Sequence, residues 1–204
     1  MLGRAINDEQ LVMFLTGPGG SGKSEVINQL LAHAKEFCSN IEYPFTSKTI
    51  LVTACSGVAA TFIGGATVHS ATWINTKITN VPDEVFATFR NHVKMIIIDE
   101  ISMLDYGFLE KLNARLNTCM GMKQARYGGI DLAFMGDFRQ LPPVRIPPIY
   151  KERNMTLFKH TVNCYVELFG MYRFKDDPAF GEICKRFRDG IPTHLQRSPI
   201  NLIP

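Results

Sequence analysis

Residues 17–24 read Gly17-Pro18-Gly19-Gly20-Ser21-Gly22-Lys23-Ser24, which fits the spacing G-x-x-x-x-G-K-[ST]. Glycines so placed let backbone N–H groups turn inward around phosphate oxygens, and a helix opening at Lys23 adds the positive end of its dipole. In that setting Lys23 reaches the β- and γ-phosphates and the Ser24 hydroxyl binds Mg²⁺. The run from Gly17 to Ser24 is therefore expected to cradle ATP with its Mg²⁺. A glycine-rich turn that only joins a strand to a helix is the plainer reading. Spacing and flanking segments together favour the cradle.

A second run, Met95-Ile96-Ile97-Ile98-Asp99-Glu100, ends an apolar stretch with two acids. A buried strand of this kind delivers its carboxylates to the edge where an α/β sheet keeps its ligand. Asp99 is then the holder of Mg²⁺, directly or through water. Glu100 is the base that orients and deprotonates an attacking water. Alone, such a pair is commonly a solvated strand end; beside a phosphate cradle it points to hydrolysis rather than transfer to a small molecule. A third segment, Gly136-Asp137-Phe138-Arg139-Gln140-Leu141-Pro142-Pro143-Val144, again follows an apolar strand. Gln140 is a candidate sensor of the γ-phosphate, on a loop stiffened by two prolines. Arg173 is a candidate arginine finger in cis, a fixed guanidinium set against charge on the transferring phosphoryl group.

The elements that would position these residues follow from the pattern of apolar runs. Leu11–Thr16, Thr49–Ala54, Met95–Ile98, Leu132–Met135 and Cys164–Leu168 are short and continuously apolar, as strands buried on both faces are. They alternate with helical segments, which predicts an α/β fold with a central parallel sheet flanked by helices. One helix opens at Gly22–Lys23 and carries Val26, Ile27, Leu30, Leu31 and Ala34 as a single stripe. Another follows Asp105, with Phe108, Leu109, Leu112 and Leu116 on one face. A last one has Asp177 as N-cap, Pro178 in its first turn, Phe180, Ile183, Cys184 and Phe187 inward, and Gly190 past its end. Residues 1–190 thus read as one domain, and the short, Pro-punctuated stretch 191–204 reads as a linker.

Composition narrows the class without naming a partner. The chain has 204 residues, 46% of them apolar and 20% charged, so it can bury a real core. A formal charge of +3 is too small to mark a nucleic-acid binder. No apolar run approaches the ~20 residues of a membrane span, and Met1 to Gln10 has neither signal nor transit character. Cys38, Cys55, Cys119, Cys164 and Cys184 are scattered, with no CxxC pair, which argues against a zinc site or a disulfide framework and for an intracellular location.

Taken in order, these motifs resemble the Pif/RecD-like DNA helicases of superfamily one, over residues from Asn7 to Gly190. Thr53-Ala54-Cys55-Ser56-Gly57-Val58-Ala59-Ala60, continued by Ile63 to Ser70, looks like that family's motif Ia and its extension. Asp99 to Met103 is similar to its motif II and Gly136 to Val144 to its motif III. Asn7-Asp8-Glu9-Gln10 looks like the adenine-reading Q motif, with Gln10 as the contact. Tyr172-Arg173, Asp176-Asp177 and Phe180 to Gly190 are similar to the motif IV region. Gly-Asp-Phe-Arg-Gln leans toward the transposon-borne, Helitron-type branch. Two departures are Phe174 where the family often has Gln, and Cys55-Ser56 where Ser-Thr is usual. Motifs V and VI, which belong to a second RecA-like domain, are absent.

The resemblance implies a RecA-like P-loop NTPase domain in which the motif III strand lies between the cradle strand and the acidic strand. It implies 5′ to 3′ movement on single-stranded DNA, a second RecA-like domain as partner, and a place in the nucleus or mitochondrion in a eukaryote. Ser56, Gly57, Thr67, His69 and Ser70 are the DNA-facing candidates, since small residues and hydroxyls suit contacts to strand phosphates. Trp73, the single tryptophan, is expected in a core or interface before a base stack. Two rivals stay open: a non-helicase P-loop NTPase or kinase, and a truncated nucleotide- or DNA-binding module with little hydrolysis.

Overall fold

The computed structural model describes residues 9–74, 81–143, 147–151 and 155–191. The strands are β1 (Val12–Thr16), β2 (Ile50–Ala54), β3 (Ala66–Thr67), β4 (Met95–Asp99), β5 (Asp131–Gly136) and β6 (Cys164–Glu167). The helices are α1 (Lys23–Asn40), α2 (Gly57–Phe62), α3 (Val68–Ala71), α4 (Asp83–Asn91), α5 (Tyr106–Met120), α6 (Met155–Thr161) and α7 (Pro178–Arg188). Asn7, Asp8, Val144 and most of the expected linker, 192–204, lie outside the described residues.

The six strands form one sheet in the order β3-β2-β4-β5-β1-β6, with every neighbouring pair parallel. The motif III strand β5 therefore does lie between β1 and β4, as the resemblance implied. Parallel strands need crossovers, and the crossover helices cover both faces. Period-two alternation sorts the Met-Ile-Ile-Ile run of β4 between those faces. Ile96 and Ile98 join Phe14, Leu132 and Phe134 under Leu109, Leu112 and Leu116 of α5. Met95 and Ile97 join Leu15, Ala133 and Met135 under Ile27 and Ala34 of α1. Ile96, Ile97 and Ile98 are each 0% exposed, a burial that stabilises by roughly 1.5–3 kcal/mol per side chain. Such a continuous apolar run is stable only in the sheet interior, where β4 pairs with β2 and β5. The strand ends Thr16, Ala54, Asp99, Gly136 and Glu167 consequently share one edge.

Expected strand limits agree with the structure to within a residue. The character of β6 differs: it is an outer strand of the sheet, and Tyr165 is 61% exposed rather than buried on both sides. Helix α7 differs more. Asp177 does cap it, accepting from the Phe180 N–H at 3.0 Å. Phe180 and Phe187, however, are 51% and 47% exposed, and of the expected inward residues only Ile183 and Cys184 are half-buried. The reason is where the helix packs. Gly181 is its buried residue, seated against Phe174 and Met171, so α7 rests on the 171–174 segment and not on the sheet. Among the described residues no helix is long and apolar enough to cross a membrane.

Candidate nucleotide site

The loop that leaves β1 curls back on itself. The Ser21 N–H donates to the Pro18 carbonyl at 3.1 Å, and Gly20 and Gly22 take left-handed φ values of 79° and 96°. A side chain at Gly20 is doubly disfavoured, because its Cβ would also run into the Cβ of Arg173. We expect Gly20→Ala to lower the melting temperature by about 2–8 °C, from ~1–2 kcal/mol of backbone strain plus the clash. It should also weaken nucleotide binding; a melting curve with a nucleotide titration checks both. Lys23 opens α1, and its Nζ donates back to the carbonyls of Gly17 (2.8 Å) and Pro18 (3.0 Å), across the mouth of the loop. Ser21 Oγ is buried with no hydrogen-bond partner and lies beside Gly17. Ser24, one residue on, is exposed at the start of the helix.

Strand β4 brings Asp99 and Glu100 to this edge. Asp99 is 7% exposed and accepts the Glu100 N–H on Oδ1 at 2.9 Å. Glu100 itself holds φ 57°, a left-handed conformation that costs a non-glycine residue of order 1–3 kcal/mol and is typical of functional positions. Burial raises the pKa of Asp99, against the Glu100 N–H bond and the Lys23 charge, which lower it. Burial also raises Glu100, reinforced by the charge of Asp99. The Lys23 amine is pulled down by burial and held up by Asp137, Asp99 and Glu100, in that order. The charges of β1, β5 and β4 thus share one field. Cradle and acidic pair stand two strand spacings apart, about 10 Å, with Asp137 between them.

Gln140 and Arg173 meet above the loop. A Cβ on Gly19 would be 3.6 Å from Arg173 Nη1 and 3.8 Å from Gln140 Nε2. Together with Pro18, Gly19, Asp137, Cys184 and Arg188 they line a cavity of about 160 Å³. Tyr172, 71% exposed, sets its ring 3.8 Å from the Cβ position of Gly22, beside the start of α1. Asp137, Tyr172 and Arg188 are the residues here that motif reading left without a role. Asp137 belongs to the motif III segment, and Tyr172 and Arg188 to the motif IV-like region, but neither motif by itself indicates that Arg188 meets Asp137.

Gln10 is not brought to this site. One residue separates it from β1, so it lies at the opposite end of that strand, about 20 Å from Gly17. Its amide donates to the carbonyls of Arg126 (2.9 Å) and Ile130 (2.5 Å), fixing the turn before β5. The adenine contact expected from the Q-motif resemblance has no counterpart in that geometry.

The DNA-facing candidates do gather, beside β4 at the ends of β2 and β3. Ser56 caps α2 through the Ala59 N–H at 3.2 Å, and Gly57 follows it, exposed. Thr67 caps α3 through the Ser70 N–H at 3.3 Å, and the two hydroxyls are 2.9 Å apart. His69 is exposed, its ring centred 4.2 Å from that of Phe108, and burial against that surface lowers its pKa. Trp73 is half-buried with φ 54°, its carbonyl accepting from Arg115 Nη2 at 3.3 Å. The Cys55 N–H donates to the Asp99 carbonyl at 3.1 Å, joining this loop directly to the acidic pair.

Residues 1–173 match the sequence profile of the PIF1-like helicases. The chain belongs to the PIF1-like helicase family. It is 30% identical over 198 residues to the ATP-dependent DNA helicase PIF1 of Candida albicans, covering 87% of this chain and 21% of that one. The crystal structure of Pif1 helicase from Candida albicans superposes with TM-score 0.72 at 31% identity, covering 91% of this chain and 42% of that one. Pif1 helicase from Bacteroides, in complex with ADP-AlF3 and ssDNA, gives TM-score 0.68 at 24% identity over 94% of this chain and 45% of that one. At that identity the Bacteroides likeness speaks for the fold alone. This PIF1-like chain spans about a fifth of the curated relative's length and less than half of either solved chain.

Proposed function

We propose that this chain is the nucleotide-binding motor domain of an ATP-dependent 5′ to 3′ DNA helicase, with the domain extending to Gly190. The carrying observation is the convergence of Lys23, Asp99, Glu100, Gln140 and Arg173 on one glycine loop at the ends of β1, β5 and β4. The backbone from Gly17 to Ser24 wraps the phosphates, and Lys23 exchanges its two loop carbonyls for β- and γ-phosphate oxygens. Glu100 takes the proton of the attacking water. Gln140 contacts the γ-phosphate and registers its loss, while Arg173 offsets charge on the transferring group. Tyr172 offers a ring face to the base.

Ser24 and Asp99 are suited to hold Mg²⁺. Among the described residues no group of three or more His, Cys, Asp or Glu side chains could hold a metal ion. The remaining ligands would be phosphate oxygens and water, which is how Mg²⁺ is usually bound. Bound there, Mg²⁺ would supply neutralisation of triphosphate charge.

Single-stranded DNA is the proposed second partner, resting on Ser56, Gly57, Thr67, His69 and Ser70. Support comes from the shared edge of the sheet, from the Cys55 to Asp99 link, and from the Candida albicans relative, an ATP-dependent DNA helicase. Lys23→Ala is expected to weaken Mg-nucleotide affinity roughly 10- to 100-fold, the worth of a charge-assisted phosphate contact. Unchanged affinity would overturn the cradle assignment. ATPase with and without single-stranded DNA separates the rivals. A helicase motor is stimulated, a kinase is indifferent to DNA and needs an acceptor, and a bare binding module turns over in neither case.

A further inference from the structure

We propose that Arg188 is a positioning residue for hydrolysis, holding Asp137 so that Gln140 stays over the cradle; this rests on the nucleotide site proposed above. Asp137 is 1% exposed, and its carboxylate is gripped by a guanidinium fork from the last residue of α7. Arg188 Nε donates to Oδ2 at 2.6 Å and Nη2 to Oδ1 at 3.2 Å. The same two oxygens organise the loop that carries the sensor. Oδ1 accepts the Arg139 N–H at 3.0 Å, and Oδ2 faces Gln140 Nε2 at 3.5 Å. The Gln140 N–H closes the turn on the Asp137 carbonyl at 2.9 Å. A second, more exposed pair, Arg139 Nη1 with Asp189 Oδ1 at 2.5 Å, crosses the same gap in the reverse sense.

Chemistry explains why the grip must be an arginine. Asp137 stands near Lys23 and Glu100 and also feels Arg188 from the other side. A bidentate fork fixes both oxygens of a carboxylate in one plane, which a lysine cannot do. Without it the carboxylate is free to turn toward Lys23, and Gln140 loses the partner beside its amide. The fork also links the sensor to α7, a helix whose Phe180 and Phe187 are largely exposed and whose seat is the 171–174 segment bearing Arg173. Sensor and finger are thereby referenced to one helix.

The test is a double-mutant cycle on the full 204-residue chain, crossing Arg188→Met and Arg188→Lys with Gln140→Ala. The readouts are kcat, KM and the affinity ratio of Mg-ATP to Mg-ADP, with melting curves alongside. Arg188→Met is expected to lower kcat about 10²-fold, the scale of a misplaced catalytic group, with ADP affinity little changed and KM for ATP raised a few fold by the lost γ-phosphate contact. Arg188→Lys should fall part-way, and either change should shrink the ATP-over-ADP preference. In the Gln140→Ala background both should have little further effect. If Arg188→Met does not fold, the lysine variant completes the cycle. Additive losses, or equal weakening of ATP and ADP, overturn the role of Arg188. A wild-type chain that binds no Mg-nucleotide overturns the site reading instead.

Discussion

Replacing Glu100 with Gln is expected to lower ATP turnover about 10²- to 10⁴-fold while leaving Mg-nucleotide affinity within a few fold. The substitution keeps the shape and removes the proton acceptor. It has a second expected consequence. Burial, then the Asp99 charge, raises the Glu100 pKa above its ordinary value. A carboxylate whose folded pKa is raised binds more protons folded than unfolded between the two values. Its ionisation therefore costs stability, beginning above the unfolded pKa and complete above the folded one. The Glu100→Gln side chain carries no such cost, so the nucleotide-free variant should melt at a higher temperature at neutral pH and lose that advantage in acid. Single-turnover hydrolysis and melting curves across pH measure both; a variant that hydrolyses normally removes Glu100 as the base.

Arg173→Ala is expected to cost about 10³-fold in turnover, the effect of withdrawing an arginine finger. Its guanidinium is held over Gly19 by the turn at Tyr172–Phe174, directly beyond the strand that pairs with β1. Because the charge it faces develops on the transferring phosphoryl group, Mg-ADP affinity should change little. Arg173→Lys should recover only a small part, since an ammonium lacks the planar fork. Rapid-quench measurement of the chemical step decides the matter: a step unaffected by the alanine means that the stabilising cation lies elsewhere.

Much of this architecture was legible in the sequence because its signals are local. Four-residue apolar runs such as Met95–Ile98 leave no polar face to show to water, so they must sit inside a parallel sheet. The cradle and the acidic pair are each contained within eight residues. What could not be read depends on closure at a distance. Arg188 meets Asp137 across 51 residues, a pairing no periodicity encodes. The exposure of Phe180 and Phe187 reflects what α7 packs on, whereas its helical spacing describes only a stripe. Gln10 illustrates the converse limit. Asn7-Asp8-Glu9-Gln10 looks like the Q motif in sequence, yet with Leu11 alone before β1 the chain is too short to carry Gln10 to the cradle's end of the strand.

Calorimetric titration of the wild-type chain with a non-hydrolysable ATP analogue, in excess Mg²⁺ and again with Mg²⁺ chelated, tests the nucleotide site most directly. The expected result is a saturable isotherm with one nucleotide per chain in Mg²⁺ and a much weaker one without it. A folded chain that gives no binding heat in Mg²⁺ at several temperatures would contradict the assignment of Gly17–Ser24, Asp99 and Glu100 to a Mg-nucleotide.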